Sequence, residues 1–80
     1  MSFGELVKQH RVRSGMNQER FAERVGITAS FLRMIEKDQS GMSALVVARM
    51  VEVWGLTPFE TTKLLKALRE DAESKRQTAD

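Results

Sequence analysis

The sequence predicts an all-α fold of five helices. Three observations carry this: apolar residues recur at spacings of three and four, glycines cut the chain into pieces of helical length, and no stretch alternates with period two over a useful distance. The chain has 80 residues, enough for one domain and too few for two. That domain is expected over residues 1–72, with a polar tail over 73–80.

Each element has its own signal. Phe3 to Arg13 carries Phe3, Leu6, Val7 and His10 on one helical face. Gly15 separates it from a second helix that opens at Asn17, a favoured N-cap, and runs through Gln18 to Val25. Gly26 breaks that helix, and Thr28 caps a third from Ala29 to Lys37. Ser43 caps a fourth, Ala44 to Trp54, which Gly55 ends. Thr57-Pro58-Phe59-Glu60 is a capping box with proline at the first helical position, so a fifth helix starts there. It is expected to run to about residue 72, with the polar ESKRQTAD fraying beyond it.

Composition narrows the function. Hydrophobic residues make up 41% and charged residues 30%, the balance of a globular domain. The absence of cysteine rules out disulfide scaffolds, thiol catalysis and cysteine-held zinc. One histidine, His10, argues against a His-rich metal site or a Ser-His-Asp triad. No apolar run is long enough for a signal peptide or a membrane span, so an intracellular location is expected, with no membrane partner. No carboxylate pair forms a recognisable catalytic dyad, and no enzymatic activity, cofactor, metal or small-molecule substrate is expected. The net charge is +2, unevenly spread. Lys8 to Lys37 holds seven basic residues against three acids, whereas Glu70 to Asp80 holds two against four. A basic N-terminal half can meet an anionic surface.

The most informative stretch is Gln18 to Lys37. Phe21 and Val25 form the inward stripe of one helix, and Leu32 and Ile35 that of the next. Ile27 plugs the corner, Ala22 is small where the second helix must approach, and Gly26 supplies the positive φ of a sharp turn. Seven positions agree with two short helices crossing at about 90–120°. Phe31 lies off this inward stripe and is expected to pack on a neighbouring helix. The stretch resembles the helix-turn-helix of the Cro/CI-type (XRE) repressor family, and the likeness extends from about Phe3 to Glu60. Asn17-Gln18 matches the family's opening glutamine, Ala22 and Gly26 its small residue and turn glycine, and Leu32 with Ile35-Glu36 the end of its recognition helix. The family's spacing to the next cap and terminal glycine is kept by Ser43 and Gly55. The resemblance implies a five-helix lambda-repressor-like domain with an extended C-terminal helix.

It also implies double-stranded DNA as partner. An α-helix fits the major groove and presents its N-terminal residues to base edges. The positions implied to face bases are Ala29, Ser30, Arg33 and Met34. Arg33 suits guanine O6 and N7 through its guanidinium fork. Phosphate contacts are expected from Asn17 and Gln18 at a helix N-terminus, from Thr28, and from Lys37, Gln39 and Ser40 on the loop that follows. Arg20 and Arg24 alternate with Glu19 and Glu23 and read as a solvated face. The family's glycine after the recognition helix is replaced by Asp38, an acid close to where phosphates would pass. Ala29 and Met34 offer little hydrogen-bond discrimination, so modest selectivity per half-site is expected, aided by dimerisation or DNA shape.

Arg11 and Glu36 match a pair that joins the first helix to the recognition helix in relatives, and read as a structural ion pair. His10 reads as a core or rim residue. In the fourth helix, Val47, Met50, Val51 and Trp54 are expected inward, which leaves Leu45, Val46 and Val53 without an obvious cover. Phe59, Leu64, Leu65 and Leu68 of the fifth helix can supply some. A homodimer interface is therefore expected from Leu45, Val46, Val53, Leu64, Leu65 and Leu68. The alternative is a monomer whose fifth helix folds back over the first and fourth. The functional expectation is a cytoplasmic, nucleoid-associated transcription regulator, a dimeric repressor reading a pseudo-palindromic operator. The competing class is an antitoxin-like or anti-repressor module that holds a protein partner.

Overall fold

Five helices follow one another: α1 (Phe3–Arg13), α2 (Gln18–Val25), α3 (Ala29–Glu36), α4 (Ala44–Trp54) and α5 (Pro58–Thr78). This computed structural model describes the backbone of residues 1–78 and the side chains of residues 1–71, and no strand occurs among the described residues. The chain is all-α, as its periodicity predicts.

The helix starts are chemically fixed. Side chains of Asn17, Thr28 and Ser43 accept the backbone N–H groups of Arg20, Phe31 and Val46, satisfying donors that a first helical turn leaves open. Thr57 and Glu60 close their box reciprocally: the Thr57 N–H donates to Glu60 Oε1 and the Glu60 N–H to Thr57 Oγ1, both at 3.2 Å. At α1 the cap is Ser2, whose Oγ accepts the Glu5 N–H at 3.1 Å.

The core forms where α1, α2 and α3 meet, closed by α4 behind α2 and by α5 along α1. Val7, Phe21, Leu32 and Met50 are sealed from solvent and come from four different helices. Phe31 is half-buried and packs against this core, as expected for a residue off the main stripe. Trp54 stacks on Phe21 with ring centroids 4.8 Å apart and planes 7° from parallel. Its other neighbour is the His10 ring at 5.0 Å, which makes His10 a rim residue of the core.

Three expectations need correction, all concerning α4 and α5. Leu64 is buried in the core with Ala67, so it has no surface to give a second chain. Phe59 and Leu65 supply little of the expected cover: Phe59 is 78% and Leu65 47% exposed. The reason is rotational. α5 packs along α1 through the stripe Leu64–Ala67, and that register turns Leu65 outward. Val46 and Val53 are half-buried against the core, while Leu45 is open. Finally, α5 does not stop near residue 72 but continues to Thr78, through residues without proline or glycine. Of the tail expected over 73–80, residues 79–80 lie outside the described residues.

Candidate nucleic-acid interface

The α2–α3 unit turns on Gly26, whose φ of 88° lies in the left-handed region. The N–H groups of Gly26 and Ile27 both donate to the Ala22 carbonyl, at 2.9 and 3.0 Å, which ends α2 abruptly. Behind the turn, Phe21, Ala22, Val25, Leu32 and Ile35 are buried. The Arg49 side chain of α4 donates to the Val25 carbonyl at 3.5 Å, placing a cation at the negative end of α2.

With Leu32 and Ile35 committed inward, Phe31 packed beside them and Glu36 turned into a buried ion pair, α3 leaves one outward side. Thr28, Ser30, Arg33, Met34 and Lys37 are exposed, and Ala29 is half-buried against the core. The Arg33 guanidinium lies against two neighbours: Nη2 donates to Ser30 Oγ at 3.2 Å, and Nη1 stands 3.9 Å from Glu19 Oε1 on α2. Ser30, Arg33 and Met34, with Ala29 at their edge, form one outward ridge of hydroxyl, guanidinium and thioether groups.

A buried polar knot holds this ridge in place. Arg11 Nε donates to Glu36 Oε2 at 2.7 Å and Nη2 to Glu36 Oε1 at 3.3 Å, while Nη1 donates to the Met16 carbonyl at 2.9 Å. Gln18 Nε2 donates to the same Glu36 Oε1 at 3.0 Å. The Arg11 and Glu36 side chains are 10% and 4% exposed, so the pair is shielded from water and salt. One carboxylate at the end of α3 therefore ties α1 to the start of α2, and Arg11 extends the tie to the α1–α2 turn. The Gln18 side chain faces this carboxylate, so a phosphate at the start of α2 would be met by backbone N–H groups of the first turn.

After α3 the chain reverses through Asp38. The Asp38 N–H donates to the Ile35 carbonyl at 3.0 Å and the Gln39 N–H to the Met34 carbonyl at 2.8 Å, a helix-ending arrangement that needs a left-handed residue. Asp38 supplies it with φ 58°. Its carboxylate turns to the start of α1 and accepts the Gly4 N–H at 2.9 Å. Asp71 of α5 accepts the neighbouring Phe3 N–H at 3.1 Å. Both acids thus sit at the positive end of α1. Lys37 and Gln39 are exposed beside this reversal, and Ser40 is half-buried with its hydroxyl on the Gly41 carbonyl at 3.0 Å.

Sequence reasoning missed four of these contributors: Ser2, Gly4, Glu19 and Asp71. Ser2 carried a readable signal, a serine directly before the first helix. Gly4 and Asp71 carried none, because their roles depend on which helix ends meet in space. A shallow groove of about 370 Å³ lies between the α3–α4 loop and α5, with Met42, Leu65 and Leu68 as its apolar wall. The remaining titratable feature lies away from the ridge: burial against Trp54 pushes the His10 imidazole below its ordinary 6.5, partly countered by Glu60.

Two short helices about a left-handed glycine, with a braced outward ridge on the second, define a helix-turn-helix unit. The sequence profile of the helix-turn-helix domain family matches residues 2–64, and the chain belongs to that family. It is similar to a propionyl-CoA carboxylase regulator of Cereibacter sphaeroides, 31% identical over 72 residues, which cover 84% of this chain and 16% of that protein. It is also similar to an HTH-type transcriptional regulator of Methanothermobacter thermautotrophicus, 32% identical over 60 residues, covering 75% of this chain and 87% of the relative. The chain thus spans a small part of the first relative and most of the second. No solved structure matches it significantly.

Proposed function

We propose that this protein is a sequence-specific DNA-binding transcription regulator that inserts α3 into the major groove and represses by occupying its operator. The observation that carries the reading is the outward ridge of α3, held from behind by Leu32, Ile35 and the Arg11–Glu36 pair. Ala29, Ser30, Arg33 and Met34 face the bases, with Arg33 taking a guanine. Phosphates are held by the first turn of α2 at Asn17 and Gln18, and by Thr28, Lys37, Gln39 and Ser40. Two copies read half-sites one helical turn, about 34 Å, apart on a pseudo-palindrome. Support for the homodimer comes from the exposed Leu45 and Leu65 together with the Met42–Leu68 groove, and from the half-buried Val46 and Val53 of α4.

A salt titration against random duplex tests the reading. Binding through phosphates falls linearly in log–log terms, with a slope of about −0.9 per phosphate neutralised. Absence of binding to any duplex at low salt would instead favour a module that holds a protein partner, for which the same apolar groove is the feature in support. Selection of bound duplexes from a random pool then gives half-site symmetry and spacing together.

A further inference from the structure

We propose that Glu19 is a positioning residue for Arg33 and sets the selectivity of the reading face. The inference rests on the DNA-binding reading above and adds to it a residue on the other helix of the unit. Glu19 lies in the first turn of α2, yet its Oε1 stands 3.9 Å from Arg33 Nη1 on α3, while Ser30 Oγ accepts from Arg33 Nη2 at 3.2 Å. An arginine side chain free at a DNA surface takes whichever phosphate is nearest, because that contact is sequence-independent. Arg33 is not free. A carboxylate and a hydroxyl hold its guanidinium over the ridge and leave further N–H donors for the fork that a guanine edge accepts.

The carboxylate also acts on the competing states. Glu19 is 70% exposed at its side chain and stands beside the cation meant for the groove. Against random sequence, where Arg33 finds no guanine, its charge opposes the phosphates and nothing offsets that repulsion. On the correct sequence the guanine contact offsets it. Glu19 therefore lowers non-specific binding more than specific binding.

The role separates from a plain helix-end effect by the sign of two measurements. An acid in the first turn of α2 also favours that helix, and losing such support alone weakens all binding in parallel. The experiment compares the full chain with Glu19→Gln, Arg33→Ala and the double variant, on a selected duplex and on a duplex changed at the Arg33 base pair. Glu52→Gln, on α4, controls for net charge, and thermal melts check folding. Expected for Glu19→Gln is tighter binding to the changed duplex with discrimination at the Arg33 pair reduced about two- to five-fold, the range of an exposed ion pair. In the Arg33→Ala background the substitution should no longer alter discrimination. Parallel weakening on both duplexes, or unchanged discrimination with Arg33 still reading its pair, would overturn the role of Glu19. Loss of all base preference dependence on Arg33 would instead refute the assignment of the reading face, and the positioning role with it.

Discussion

The Asp38 carboxylate accepts the Gly4 N–H at 2.9 Å, joining the exit of α3 to the first turn of α1. The approach is close enough that a Cβ at Gly4 would stand 2.5 Å from the Ile35 carbonyl oxygen and 2.8 Å from that of Glu36. Both obstacles are backbone and cannot swing aside. Gly4→Ala is therefore expected to destabilise the fold by about 1–3 kcal/mol, read as a lower urea midpoint.

Asp38 itself combines a strained backbone with a useful side chain. Asp38→Ala keeps the left-handed conformation and loses the bond, so a loss of about 1–2 kcal/mol is expected. Asp38→Gly loses the same bond but relieves the strain, which leaves it within about 1 kcal/mol of the parent. Urea melts that ranked glycine below alanine would show that this account of the turn is mistaken.

The Arg11–Glu36 pair carries a larger penalty if broken on one side. Glu36→Ala strands the Arg11 guanidinium and the Gln18 amide in a site closed to water, an expected cost of about 3–5 kcal/mol. A domain of this length has a total stability of about 4–12 kcal/mol, so this variant is expected to be partly unfolded at 37 °C. Arg11→Met with Glu36→Met removes both charges and should recover a large part of that loss. Circular dichroism melts of the single and double variants decide the point.

These contacts show what the sequence makes legible. Caps are local chemistry, and Asn17, Thr28, Ser43 and the Thr57–Glu60 box were readable because each partner lies within three residues. The inward stripe of α2 and α3 was readable from spacing alone, since Phe21, Val25, Leu32 and Ile35 have one shared side. The face of α5 was not. Periodicity weights leucine above alanine, but α1 selects Leu64 and Ala67 and leaves Leu65 outside. Gly4 was illegible for a similar reason: a glycine near a helix start has many uses, and only the arrival of the α3 carbonyls chooses among them.

On the ridge itself, Arg33→Ala is expected to relax preference at one base pair and to cost about 1–3 kcal/mol on the selected sequence. Gln18→Ala removes the Glu36 contact that holds the first turn of α2, so it should weaken binding to all sequences alike and lower thermal stability too, which Arg33→Ala should not. Anisotropy titrations paired with melts separate the two effects.

Acid should weaken the fold through His10. Burial against Trp54 lowers the folded imidazole below 6.5, so the unfolded chain binds the proton more tightly. The stabilisation is present above pH 6.5, declines as pH falls below it, and is gone once pH passes the lower folded value. Glu60, also lowered, by its bonds to Thr57, contributes in a separate window beneath its ordinary 4.5. His10→Leu should therefore flatten the stability profile just below pH 6.5 and leave the more acidic limb in place. Urea midpoints taken across that range provide the check.

Leucines adjacent in α5 should behave oppositely. Leu65 is exposed beside the Met42–Leu68 groove, whereas Leu64 is buried in the core at 1% exposure. Leu65→Glu and Leu45→Glu place a charge on open surface and should leave the melting temperature nearly unchanged. If two copies meet there, each charge becomes buried at the contact, and sedimentation should show a shift from dimer to monomer with weaker binding to a two-half-site duplex. Leu64→Glu should unfold the chain outright, because the charge has no water and no partner. A parent protein that sediments as a monomer at every concentration, with or without the duplex, would remove the dimer from the mechanism and leave a single α3 to read one half-site.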